Sequence, residues 1–135
     1  MSMFTLHPQL AKDTVWVTDL ALCKVLLMND AQYPWLILVP QLADLREIYE
    51  LNSEQRQMLW EESDQVSRVL VQVFNPIKLN IAALGNMVPQ LHIHHIARFT
   101  TDPAWPAPVW GKVPAQSYEA TVLESRLSQL REALA

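Results

Sequence analysis

Between Thr14 and Pro40 three apolar stretches alternate with turn residues, and beyond Pro40 the rhythm changes. Thr14 to Thr18 and Leu20 to Leu27, rich in Val, Leu and Trp, predict two strands joined near Asp19. Asn29-Asp30 is a turn signal, and Pro34 to Pro40 predicts a third strand bounded by prolines. Short connections between such stretches argue for an antiparallel meander. Leu42 to Leu51 predicts one short helix. Asn52-Ser53 then offers an N-cap to a longer helix, in which Met58, Leu59, Val66, Val69, Leu70 and Val73 recur at helical spacing. Glu61, Glu62, Asp64, Gln65 and Arg68 are expected on its opposite, solvent side. The helix should stop at Asn75-Pro76, and Lys78 to Leu84 alternates as a fourth strand.

The next stretch, Gly85 to Arg98, carries most of the chemistry. Gly85, one of only two glycines, suits a tight turn out of the fourth strand. Three of the four histidines follow in Gln90-Leu91-His92-Ile93-His94-His95-Ile96. On an extended backbone Gln90, His92 and His94 share one face, with Leu91, Ile93 and His95 on the other. Two imidazoles and an amide therefore stand in a row, with apolar anchors behind them.

The flanks complete one domain spanning residues 1–135. Phe4 to Lys12 reads as a short helical or irregular lead-in. Thr100 to Pro114 holds four of the nine prolines and two of the five tryptophans, Trp105 and Trp110. Proline narrows the unfolded ensemble and tryptophan seeks burial, so an ordered flap is expected there. From about Ser117 to Ala135, Leu123, Leu127, Leu130 and Leu134 mark a C-terminal helix. The fold class is α+β: about five antiparallel strands with a long helix on one face and this last helix added.

Composition narrows the function classes. With 135 residues, half of them hydrophobic, a second domain is not expected. A formal charge of -4 gives no broad basic surface for a nucleic acid polymer, so a nucleotide partner should be small. The single cysteine, Cys23, excludes an internal disulfide and fits a reducing compartment. No cleavable signal is visible at the N-terminus. The longest apolar run, Leu20 to Met28, is too short to span a bilayer and contains Lys24. A soluble cytoplasmic protein without a membrane partner is the expectation.

Two imidazoles on one strand face suit metal binding, proton transfer or nucleophilic attack beside a stabilising group. His7 and several carboxylates exist, but none stands at a recognisable ligand spacing, which makes metal the lesser reading. Histidines with no catalytic role are the plain alternative.

Val88-Pro-Gln-Leu-His92-Ile-His94-His95-Ile-Ala-Arg98 resembles the signature of the histidine triad (HIT) superfamily of nucleotide hydrolases and transferases, which alternates three histidines with apolar residues. The order of elements over residues 14–98 is similar too. Trp105-Pro to Val109-Trp110-Gly111 resembles a bacterial subgroup described as diadenosine tetraphosphate hydrolase-like. The resemblance implies an enzyme acting at the α-phosphate of a nucleotide or dinucleoside polyphosphate, as a homodimer, with no cofactor or obligatory metal. By position His92 would be the nucleophile, forming a nucleotidyl-histidine. His94 would stabilise phosphoryl oxygen or protonate the leaving group. Gln90 departs from the pattern, standing where the first histidine belongs; the main-chain carbonyl of that position fixes the nucleophile's tautomer, so the change is compatible with catalysis. Asn29 falls where the family meets ribose, and Asn86 where it meets phosphate. Met87 replaces a small hydroxyl residue, and Trp35 falls where some relatives carry a histidine near the phosphates. Trp110 could enclose a base. Gln90, Asn29, Asn86 and Trp110 are thus the candidate substrate contacts. A nucleotide-binding module with weak catalysis, and a metal-binding protein using His92 and His94, are the alternatives.

Overall fold

The computed structural model describes residues 3–135; Met1 and Ser2, counted above in the single domain, lie outside them. A short helix α1 (Pro8–Asp13) leads into β1 (Thr14–Asp19), β2 (Cys23–Met28) and β3 (Trp35–Pro40). The long helix α2 (Ser53–Phe74), β4 (Lys78–Ala82), β5 (Ile93–Arg98) and α3 (Ala120–Leu134) follow. The five strands form one antiparallel sheet in the order β1-β2-β3-β5-β4. The first three strands are the expected meander. The histidine strand β5 is then inserted between β3 and β4, an inner position paired on both sides.

Helix α2 begins with a reciprocal cap. Asn52 Oδ1 accepts from the main-chain N–H of Gln55 at 2.8 Å, and Gln55 Oε1 accepts from that of Asn52 at 3.0 Å. Two of the N–H groups that a helix start leaves unpaired are so satisfied. Its end is set by Asn75, whose φ of 50° is the left-handed conformation that asparagine tolerates.

Both faces of the sheet are covered, which is why all six residues of β3 are buried. On one face Val25, Leu27, Leu36, Leu38 and Ile93 pack with Leu59, Val66 and Leu70 of α2 and Leu127, Leu130 and Leu134 of α3. The leucine stripe of the last helix finds its burial here. On the other face Leu26, Trp35, Ile37, Val39 and Ile96 pack with Leu10 of α1 and with Ala104 and Val109 of the flap.

Two expectations need correction. Residues 42–51 contain only one 3-10 turn, Ile48–Glu50, in place of a helix. Asp44 sits at a φ of 57°, and the carbonyl of Leu45 accepts the N–H of Leu91 at 2.9 Å, so the segment supports the entry to β5. Glu62 is buried, not solvated, and its carboxylate accepts the N–H groups of Leu22 and Cys23, each at 2.8 Å. The β1–β2 connection thereby gains acceptors for donors that would otherwise be stranded in the core.

Candidate active site

Leu91, Ile93 and His95 point to the helix-covered face, while His92 and His94 point to the flap-covered face. The alternation expected of an extended backbone holds even though the paired ladder of β5 starts only at Ile93. The rings of His92 and His94 lie with centroids 4.9 Å apart at 71°. They are 7 % and 4 % exposed, so both rings are buried; His92 reaches the wall of a cavity, while His94 is covered by Trp110.

The partners of each ring fix its protons. His92 Nδ1 lies 2.7 Å from the main-chain oxygen of Gln90. A carbonyl can only accept, so Nδ1 carries the hydrogen and Nε2 keeps its lone pair. His94 is the reverse: Trp35 Nε1 donates to His94 Nδ1 at 3.0 Å, so the neutral ring carries its hydrogen on Nε2. One imidazole offers a lone pair and its neighbour a donor.

Electrostatics keep the pair uncharged. Burial pushes His94 down to about 3, helped by His92 and His95 alongside. Burial also lowers His92, against the opposing pull of the Gln90 carbonyl, and His7 acts in the same downward direction. His95, on the other face, is pushed to about 4 by burial. Its Nδ1 donates to the carbonyl of Ile93 at 3.1 Å, and its Nε2 accepts from the Ser63 hydroxyl of α2 at 2.7 Å. This histidine joins the sheet to the long helix.

The candidate contacts are dispersed around the pair. Trp110 packs edge-on against His94, centroids 5.0 Å apart, and against Trp35 at 5.8 Å. With Met28, Asn29, Trp35, Val109 and Gly111 it lines a cavity of about 410 Å³. Asn29 presents its Oδ1 to the N–H of Tyr118 at 2.9 Å, which ties the approach to α3 against the β2–β3 turn. Gln90 reaches the pair through its main chain; its side-chain amide binds Thr5 and His7. Asn86 is exposed on the turn that begins with Gly85, whose φ is 76°, and Met87 beside it is 92 % exposed. A second cavity, of about 230 Å³, is lined by His92, Gln90, Gly85, Arg46 and Tyr49. His92 thus lines one recess, and His94 packs behind Trp35 and Trp110, which line the other.

The flap is ordered by a buried ion pair that the sequence reading missed. Arg98 is 1 % exposed; its Nε and Nη2 donate to the two carboxylate oxygens of Asp102 at 2.9 and 3.1 Å, and further bonds reach Asn80 Oδ1 and the carbonyl of Ala107. Asp102 also accepts the N–H groups of Phe99, Ala104 and Trp105. Burial alone would raise its carboxyl, but Arg98 and these N–H groups hold it below the ordinary value. Among the described residues no group of three or more His, Cys, Asp and Glu side chains converges on a metal-sized point, and no helix is long and apolar enough to cross a membrane.

Fold and site together define an α+β protein that presents two neutral imidazoles of opposite tautomer from an inner strand. Residues 9–101 match the HIT domain family model. A histidine triad protein of Bradyrhizobium japonicum is 47% identical with a TM-score of 0.97, the match covering 99% of this chain and 100% of that one. One from Marinobacter aquaeolei is 51% identical with a TM-score of 0.96 over 98% and 97%, and one from Sinorhizobium meliloti 43% identical with a TM-score of 0.94 over 97% of each. No curated protein matches. The chain belongs to the HIT domain family, whose members are in general nucleotide-binding hydrolases and transferases.

Proposed function

We propose that this protein hydrolyses or transfers at the α-phosphate of a nucleotide or dinucleoside polyphosphate, of the diadenosine tetraphosphate hydrolase type, through a covalent nucleotidyl-histidine. The observation that carries the reading is the opposed tautomers of His92 and His94. His92 Nε2 attacks the α-phosphorus; an N–P bond forms and the bond to the leaving group breaks, its electron pair departing with the leaving oxygen or nitrogen. His94 Nε2–H donates to a phosphoryl oxygen as charge develops, or to the leaving atom when that atom needs a proton. Water then cleaves the N–P bond and restores the imidazole. Both rings are neutral at pH 7, so the nucleophile needs no prior deprotonation.

The nucleoside occupies the recess between Trp110 and Asn29, where the partly exposed indole offers a stacking face. The leaving group occupies the recess beside Gly85, with Asn86 at its rim. A homodimer joined through β4 fits the open edge of that strand, its exposed Ile81 and the exposed Ile77 just before it. Catalysis in water enriched in oxygen-18, across dinucleoside polyphosphates, nucleoside phosphoramidates and nucleotide sugars, tests the reaction. The label should enter the nucleoside monophosphate product; label in the leaving group, or no turnover of any of the three classes, would end the proposal.

A further inference from the structure

Gln90 departs from the histidine pattern, and three hydrogen bonds meet on it. Its main-chain oxygen accepts His92 Nδ1 at 2.7 Å. Its Oε1 accepts the main-chain N–H of His7 at 2.9 Å, and its Nε2 donates to the main-chain oxygen of Thr5 at 2.9 Å. The C=O of residue 5 and the N–H of residue 7 flank Leu6 on one edge of the backbone. They are the two groups that a neighbouring parallel strand would engage with a single residue. The carboxamide, a donor and an acceptor side by side, takes the place of that missing strand. The two ring nitrogens of a histidine stand in a different geometry.

The clamp falls where the backbone has little other support. The ladder of β5 begins at Ile93, so the carbonyl of Gln90 lies outside it. Among the described residues the main-chain hydrogen bond nearest to it is that from Leu91 N–H to the Leu45 carbonyl, beside the buried Leu91 side chain. Phe4 and Leu6 pack on the flap-side core, which gives the clamp something to pull against.

We infer that Gln90 is a positioning residue and that Thr5 to His7 is a working part of the active site: the side-chain clamp holds the carbonyl that keeps the His92 proton on Nδ1. The inference rests on His92 being the nucleophile for its kinetic consequence, but not for its spectroscopic one.

Nitrogen-15 NMR of the imidazoles, read beside steady-state kinetics with diadenosine tetraphosphate, tests it in the full-length chain. In the unaltered protein His92 should show the Nδ1–H tautomer alone. Gln90→Leu should give a mixture of tautomers and lower kcat about tenfold, the factor that one net hydrogen bond supplies, with a smaller change in KM. His7→Pro attacks the clamp from its other side. His7 has φ -55° and ψ 135°, which proline adopts, so the substitution removes the N–H without changing the dihedrals of residue 7 itself. His7→Pro should lose more than His7→Ala, which keeps the N–H, and the double variant with Gln90→Leu should be no worse than the worse single. Retention of the pure Nδ1–H tautomer in Gln90→Leu, or additive losses in the double variant, would overturn the clamp. A mixed tautomer with untouched turnover would support the clamp and overturn His92 as nucleophile.

Discussion

Trp35 Nε1 and His94 Nδ1 are joined by a 3.0 Å hydrogen bond across two neighbouring strands. Ile37 stands directly opposite His94, and Trp35 lies two residues along the same face, the diagonal distance that a large aromatic can bridge. Trp35→Phe keeps most of the ring volume but removes the donor, leaving a buried nitrogen unpaired and the orientation of the His94 proton unset. We expect kcat to fall about tenfold and stability to drop by about 1–3 kcal/mol. Steady-state kinetics beside urea unfolding reads both, and an unchanged kcat would remove Trp35 from the catalytic account.

Acid should destabilise the fold before it reaches ordinary carboxylates. His94 and His95 are held at about 3 and about 4 in the folded chain, against about 6.5 when unfolded. The unfolded chain therefore binds more protons between those values, and stability rises with pH there. Each histidine costs nothing above its unfolded value, and the penalty accumulates as pH falls from about 6.5 towards the folded values. Near pH 5 unfolding should take up about two protons, a slope of roughly 2.7 kcal/mol per pH unit. Urea denaturation from pH 7.5 to 4.5 measures it, and a flat profile would contradict the neutral, buried histidines.

The Arg98–Asp102 pair should hold the flap. Removing one member leaves the other charged and buried, for which about 3–5 kcal/mol is the usual cost. Asp102→Ala also deprives three main-chain N–H groups of their acceptor. We expect a loss of about 4 kcal/mol, with faster amide exchange in residues 99–110 than in β2 and β3. Exchange measured by mass spectrometry checks this, and uniform protection would show that the flap is held by other contacts.

The strand-forming runs, the Asn52 cap and the histidine face were legible because each is written in local periodicity and turn chemistry. Residues 42–51 were misread since their apolar spacing mimics a helix, while their backbone is committed to a distant partner at Leu91. Glu62 was placed in solvent by the same logic; its acceptors serve N–H groups some forty residues away, which no window of sequence reveals. In the sequence Trp35 is marked only by falling where some relatives carry a histidine near the phosphates. Its bond to His94 follows from the β3–β5 register, known only once β5 is seen to insert between β3 and β4. Arg98 and Asp102 did carry a signal, opposite charges four apart beside a proline-rich run, as did Ser63 facing His95 once α2 lies on β5.

During turnover the imidazole at position 92 should become covalently nucleotidylated. Rapid mixing with diadenosine tetraphosphate, acid-free denaturation within one turnover and peptide mass mapping reads this directly. One nucleotidyl group on the peptide containing His92, absent from His92→Ala, is the predicted result. Turnover with no adduct at any time point, or an adduct on another residue, would contradict it.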